Sequence, residues 1–161
     1  MKITLLTVGK IKEKYFTDAV MEYSRRLSRY LTLNIEEVAD DPVPEKAGEA
    51  MKAVILKKEG GRLLSILGRY PHSYVIALAI DGRMYDSVEL ARHMSQLQVR
   101  GISHLIFIIG GSLGLSEEVL KRSDERISFS RMTFPHQLMR VIALEQIYRA
   151  QKIDRGEPYH K

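Results

Sequence analysis

The chain has no cysteine, no long apolar run and no grouping of histidines. The first absence excludes disulfides, zinc–thiolate sites and iron–sulfur clusters. It also excludes a cysteine nucleophile, and with it the covalent route to carbon methylation of pyrimidines. Histidines at 72, 93, 104, 136 and 160 are scattered without metal-ligand spacing, so no metal is expected. No stretch approaches the roughly 18 apolar residues that a membrane helix needs. Met1-Lys2-Ile3-Thr4 runs straight into a strand pattern and lacks the layout of a signal peptide. A cytoplasmic protein with no membrane segment is expected. Repeats, linkers and low-complexity stretches are missing too, so residues 1–161 are read as one domain.

What is present is a chain of 161 residues, 45% hydrophobic, whose apolar residues fall into strand and helix periods in turn. Lys2–Val8 is a β-branched strand. Tyr15, Phe16, Ala19, Val20, Tyr23, Leu27 and Tyr30 share one helical face. Leu31, Leu33 and Ile35 alternate toward a strand ending near Val38, and Asp40–Pro44 is a loop. A helix is expected from Glu45 to about Leu67. Gly60-Gly61 inside it costs about 1 kcal/mol per glycine relative to alanine, which invites a break there. No function is assigned to that pair. Tyr74–Ile80 is a continuous apolar strand, and Asp81-Gly82 turns the chain. Asp86 and Glu89 have capping-box spacing, and Gly101 stops the helix they open. His104–Ile109 and Arg126–Phe129 are the last strands, and a helix runs from Pro135 to about Ile153. Strands alternating with helices predict an α/β fold, a mostly parallel sheet with flanking helices.

Two strand ends carry unusual loops, and in an open parallel sheet ligands bind at such ends. At Gly110-Gly111-Ser112-Leu113-Gly114 the glycines let backbone approach a ligand closely. Glu117 and Glu118 then occupy the next helix's first turn and satisfy its dipole, which disfavours a phosphate and leaves room for a neutral or cationic ligand. There is no Walker lysine and no strict G-x-G-x-x-G spacing. A tight turn with no ligand fits this loop as well. Phe129-Ser130-Arg131-Met132-Thr133-Phe134 could wrap an adenine with its backbone N–H and C=O groups, or simply plug the core. His136 lies in a helix first turn, where positive charge is disfavoured, and is expected to be neutral and to serve a structural hydrogen bond before a catalytic role.

Net charge is +5, and residues 131–161 hold +3 of it, six basic side chains against three acidic ones. Concentrated positive charge suits a polyanion, and a solvated basic face explains it equally well. Arg25 and Arg29, four residues apart, could grip phosphates but read first as a solvated face. The last helix places Leu138, Val141, Ile142, Leu144, Ile147 and Tyr148 on an apolar stripe wide enough to extend into a subunit interface.

In combination these stretches resemble the RlmH family (ribosomal RNA large subunit methyltransferase H) of the SPOUT methyltransferase superfamily. The likeness spans the whole chain. It is densest in Phe107–Ser112 with Gly114, Met132–Gln137, Arg140-Val141, Glu145-Gln146, Tyr148-Arg149-Ala150 and Pro158-Tyr159-His160. The resemblance implies a C-terminal trefoil knot, a homodimer, and S-adenosylmethionine bound in the knot. It implies methylation of N3 of a pseudouridine in 23S ribosomal RNA within the assembled 70S ribosome. The family's cofactor positions fall on Leu78, Gly110, Phe129, Ser130, Arg131, Met132, Thr133 and Phe134. Arg140, Tyr159 and His160 fall on positions that face the RNA base. Ala79 stands where relatives often carry an acidic residue, which removes a carboxylate that would contact the ribose.

Methyl transfer from a sulfonium needs alignment above all, and an imide nitrogen must first lose its proton. His160 is the candidate to take that proton, with Arg140 or a tail cation stabilising the anion. Two other readings stay open on the sequence: a non-catalytic ribosome-binding module, and a relative that methylates a ribose hydroxyl of tRNA.

Overall fold

A computed structural model describes residues 1–161. Five strands, β1 (Lys2–Val8), β2 (Thr32–Val38), β3 (Tyr74–Met84), β4 (His104–Ile109) and β5 (Glu125–Ser128), form one sheet in the order β2-β1-β4-β3-β5. Every neighbouring pair is parallel, as the alternation of strands and helices requires. The helices are α1 (Lys14–Leu27), α2 (Glu49–Leu67), α3 (Ser87–Val99), α4 (Glu117–Arg122) and α5 (His136–Asp154). None is long and apolar enough to cross a membrane.

The central strands are buried on both faces, so successive side chains feed two separate cores. Ile3, Leu5, Leu105, Phe107 and Ile109 join the core under α1, α3 and α5. Leu6, Val8, Ile106 and Ile108 point the other way, into the core with α2 and α4. Asp86 caps α3 in a reciprocal capping box with Glu89, and Gly101 leaves the helix at φ +92°.

Helix α2 runs unbroken through Gly60-Gly61, contrary to the expected break, and it starts later than expected, at Glu49. Gly60 is buried, and a β-carbon there would collide with the Ser116 side chain at the start of α4. The glycine is the price of close helix packing, and the helix absorbs it.

Strand β3 also departs from expectation. Asp81-Gly82 does not end it. Leu78 pairs with Ile127, the intervening residues bulge out, and the strand rejoins β5 with Arg83 opposite the same Ile127 and Met84 opposite Ser128. Gly82 lies directly on the β5 backbone: a β-carbon there would sit 2.6 Å from the Ile127 carbonyl carbon and 2.7 Å from its nitrogen. Only a residue without a side chain can lie so close against a neighbouring backbone.

Candidate active site

Strands β4, β3 and β5 are neighbours in the sheet, so the loops leaving their C-terminal ends converge. They enclose a cleft of about 410 Å³ lined by 19 residues, 11 of them hydrophobic. Of the residues expected to hold a cofactor, Leu78, Gly110, Phe129, Ser130, Met132, Thr133 and Phe134 line it. Arg131 does not; it is exposed on the outer side of its loop.

Each loop has a local reason for its shape. The Gly110 loop folds back on itself, with the Gly114 N–H donating to Gly111 O at 3.0 Å and Gly114 at φ +80°. A β-carbon on Gly110 would run into the Gly114 carbonyl oxygen, so the loop closes only with glycine at that place. Ser116 caps α4 through the Val119 N–H, and Glu117 and Glu118 fill the first turn, leaving no phosphate cradle. In the second loop Ser128 Oγ donates to Ser130 O at 2.9 Å, and the Met132 N–H donates to Ser130 Oγ at 3.0 Å.

Ala79 lines the cleft as an apolar wall, and the nearest carboxylate along the chain, Asp81, lines it too while pairing with Arg126 at 3.1 Å. His136 also lines the cleft, although its position had suggested a structural role first. Burial, and then the Arg140 guanidinium one turn away, hold its imidazole below the ordinary histidine range, so it is neutral near pH 7. Its neighbour on the same face, Met139, follows from helix phase and was legible in the sequence.

Glu59 was missed entirely. It is 4% exposed, its Oε2 accepts the Asp41 N–H at 3.0 Å, and its Oε1 lies 3.4 Å from where a Gly111 β-carbon would be. Burial raises its carboxyl above the usual range. The available signal was its place in the stripe Ile55, Glu59, Leu63, Leu67, where every other member is a core residue.

The residues expected to face an RNA base are not in this cleft. Arg140 is 1% exposed. Its Nη1 donates to Glu37 at 2.6 Å, and its Nη2 donates to Val8 O at 2.9 Å and Gly9 O at 2.8 Å. Burial pushes its pKa down, and the bond to Glu37 opposes that shift. A guanidinium so desolvated is held by its partners, so Arg140 braces the ends of β1 and β2 and is not free to meet a base.

Tyr159 and His160 lie against the C-terminal half of α5. Tyr159 Oη donates to Glu145 at 3.0 Å, its ring packs edge-on to Tyr148, and Arg149 sits over it at 4.7 Å. Burial, then the bond to Glu145, put its phenol above the usual range. His160 is exposed, with Nδ1 3.3 Å from Arg149 Nη1. Arginine can only donate, so Nδ1 accepts and the neutral ring carries its proton on Nε2.

Half of the tail's six basic side chains are engaged in ion pairs. Arg140 pairs with Glu37, Arg149 with Glu145, and Lys152 with Glu157 at 2.6 Å.

The cleft's position and the chain's likeness to known proteins agree. A family described as "Predicted SPOUT methyltransferase" matches residues 1–160. The chain is 56% identical over 161 residues to "Ribosomal RNA large subunit methyltransferase H" of Bifidobacterium adolescentis, covering all of both chains. It is 58% identical over 162 residues to the protein of the same name in Clostridioides difficile, again over the full length of both. Its fold is similar to that of a probable methylase family protein from Haemophilus influenzae, at 12% identity and TM-score 0.51, over 99% of this chain and 70% of that one. A putative methylase family protein from Neisseria gonorrhoeae is similar at TM-score 0.51 and 12% identity, over 91% and 81%. The chain is a SPOUT methyltransferase and belongs to the ribosomal RNA large subunit methyltransferase H family.

Proposed function

We propose that the protein methylates N3 of a pseudouridine in 23S ribosomal RNA on assembled 70S ribosomes, with S-adenosylmethionine as donor, in the cytoplasm and as a homodimer. The observation that carries this reading is the cleft at the ends of β3, β4 and β5, where two loops predicted from separate stretches of sequence meet.

The residues fit the donor. The lining is mainly apolar, as an adenosyl group requires, and no phosphate cradle competes. Gly110, Leu78 and the 129–134 loop would hold it, with Arg131 outside the lining. When bound, the sulfonium supplies an activated methyl group for in-line displacement. The chain's own task is to align the acceptor and to stabilise the imide anion left once its proton has gone to solvent.

His160 is the group proposed to meet the base. With Nδ1 accepting from Arg149, its Nε2–H is a donor, suited to a carbonyl of the base, where it would stabilise the imide anion. To act instead as proton acceptor it would first have to release Arg149. Tyr159, its phenol proton held by Glu145, is proposed to position this tail.

Within one chain the tail does not reach the cleft. It is proposed to enter the partner's. Leu138, Val141 and Ile142 are half-buried and belong to neither core, while Tyr15 and Met21 of the adjacent α1 are 66% and 63% exposed. Such a face favours a second copy. A trefoil knot is likewise part of the proposal; the close approach of Gly82 to the β5 backbone and the register shift beside it are consistent with one.

The test is to incubate the protein with methyl-labelled S-adenosylmethionine and either 70S ribosomes or tRNA, then to digest the RNA to nucleosides. Label in N3-methylpseudouridine from the large-subunit RNA is expected. Label found only in tRNA, or on a ribose, overturns the assignment.

A further inference from the structure

Part of the positive charge left free by the fold lies outside the tail where the sequence concentrates it. Arg83, Arg92 and Arg100 are all exposed, and none of them forms an ion pair. All three line two depressions along α3. One is bounded by Arg83, Tyr85, Arg92 and Gln96, and the other by Arg92, Gln96 and Arg100. Arg92 and Gln96 belong to both, so the depressions adjoin and make one track along α3.

Its geometry is ordered. Arg92, Gln96 and Arg100 recur every four residues, so they share one face of α3 and span about 12 Å. Arg83 lies over the Tyr85 ring at 4.7 Å, Tyr85 stacks on His93 at 5.1 Å, and His93 is tied to Glu125 at 2.6 Å. The guanidinium at the start of the track is therefore supported from below. Two acids border the track. Glu89 accepts the Asp86 N–H at 2.8 Å as part of the cap, and Asp154 lies at the far end. The track starts at the mouth of the methyl-donor cleft. Asp81 lines the cleft and Arg83 lines the track, two residues apart, at most about 7 Å of chain.

From this arrangement we infer that the flank of α3 is an RNA-docking surface, where Arg83, Arg92 and Arg100 hold the phosphates of the strand whose base enters the cleft. The inference rests on the proposed RNA methylation and adds to it the surface that guides the substrate. Arginine suits this task because its planar fork pairs with phosphate in two bonds.

The test compares wild type with R83Q/R92Q/R100Q, and with K46Q/K57Q/K58Q, which alters three exposed lysines in and before α2. The probes are a short labelled single-stranded RNA and a polyglutamate peptide of equal charge, titrated at several salt concentrations. Matching melting temperatures show that all three proteins are folded. Three phosphate contacts contribute about 2 to the slope of log affinity against log salt. Wild type should therefore lose roughly 15–20-fold more affinity than the arginine variant between about 50 and 200 mM salt. The lysine variant should follow wild type. The KM for ribosomes should rise in the arginine variant, while its affinity for S-adenosylmethionine stays at the wild-type value. An unchanged slope in the arginine variant, or an equal loss in the lysine variant, overturns the inference. So does polyglutamate binding that matches RNA and depends on the same arginines. Binding is read without methyl transfer, so a failure to methylate ribosomes would sink the proposed reaction and leave the track to be judged on its slope.

Discussion

Replacing Arg140 with methionine separates a reacting group from a brace. The side chain makes three bonds, to the Glu37 carboxylate and to the carbonyls of Val8 and Gly9, at 2.6 to 2.9 Å. Breaking a buried, hydrogen-bonded charge pair costs about 3–5 kcal/mol when the remaining partner stays buried. Here Glu37 keeps a side chain 36% exposed and rehydrates, which relieves part of that cost. Methionine fills much of the same volume and removes the desolvation of the guanidinium, which relieves more. About 2–3 kcal/mol of destabilisation remains. For a domain of this size each kcal/mol moves the melting temperature by about 2–4 °C, so Arg140→Met should melt roughly 5–10 °C lower. Arg140→Lys, which keeps the charge and loses the fork, should fall between.

The assay pairs thermal melting with methyl transfer to ribosomes at a temperature where both proteins are folded. Turnover should fall by no more than a few fold, because the guanidinium does not line the cleft. A variant that melts like wild type but loses about a hundredfold or more in turnover would return Arg140 to the reaction, and the reading of its burial would be wrong.

Three further outcomes follow from named contacts. Burial raises the Glu59 carboxyl, so the folded state holds that proton more tightly; stability from this group is present below the ordinary glutamate range and is lost as pH rises through the shifted value. Glu59→Gln keeps an acceptor for the Asp41 N–H, so it should gain stability on wild type as pH rises from about 4 toward 8, and parallel melting curves would contradict this. Gly110→Ala drives a β-carbon into the Gly114 carbonyl, within a short loop that can open, and should abolish S-adenosylmethionine binding by calorimetry at a smaller loss of stability than Gly82→Ala, which strikes the β5 backbone inside the sheet and should cost about 3 kcal/mol; an equal loss of stability in the two would refute the distinction. Finally, His160→Ala and Gly110→Ala, each inactive alone, should recover about a quarter of wild-type sites when co-refolded, through mixed dimers with one intact cleft and tail. Absence of recovery would place the tail in its own chain's cleft.

Local chemistry was legible, and backbone contacts between distant segments were not. Asp86 with Glu89, Gly101 and the two-faced strands state their roles within a few residues, and the structure matches them. Seven of the eight expected cofactor positions meet in one cleft, though only the family likeness joined the two loops beforehand. Asp81-Gly82 misled because a turn dipeptide and a glycine needed against a neighbouring strand look the same in sequence. The demand on Gly82 comes from Ile127, and no periodicity records a contact at that separation. The tail charge was legible only in part, for the same reason. Counting residues 131–161 gave an excess of cations, but Arg140 finds its acid 103 positions away, on β2. Charge summed along a chain predicts a surface only when its partners are local.

The distance between cleft and tail has a consequence for assembly. Helix α5 has 19 residues, about 28 Å of axis, with His136 and Met139 in the cleft at its start. Tyr159 is anchored on Glu145 and His160 on Arg149, which lie about 13 and 20 Å further along the axis. Glu157 fixes the bend between them through Lys152 and Tyr30, so the tail cannot swing back to its own cleft without breaking both bonds. The outward stripe of Leu138, Val141 and Ile142 lies between the two regions. If two copies pair through that stripe about a two-fold axis with their α5 helices antiparallel, each tail is carried toward the other's cleft. One apolar face would then both hold the proposed dimer and deliver His160 to the base, which explains why a helix in a domain this small keeps apolar residues outside either core.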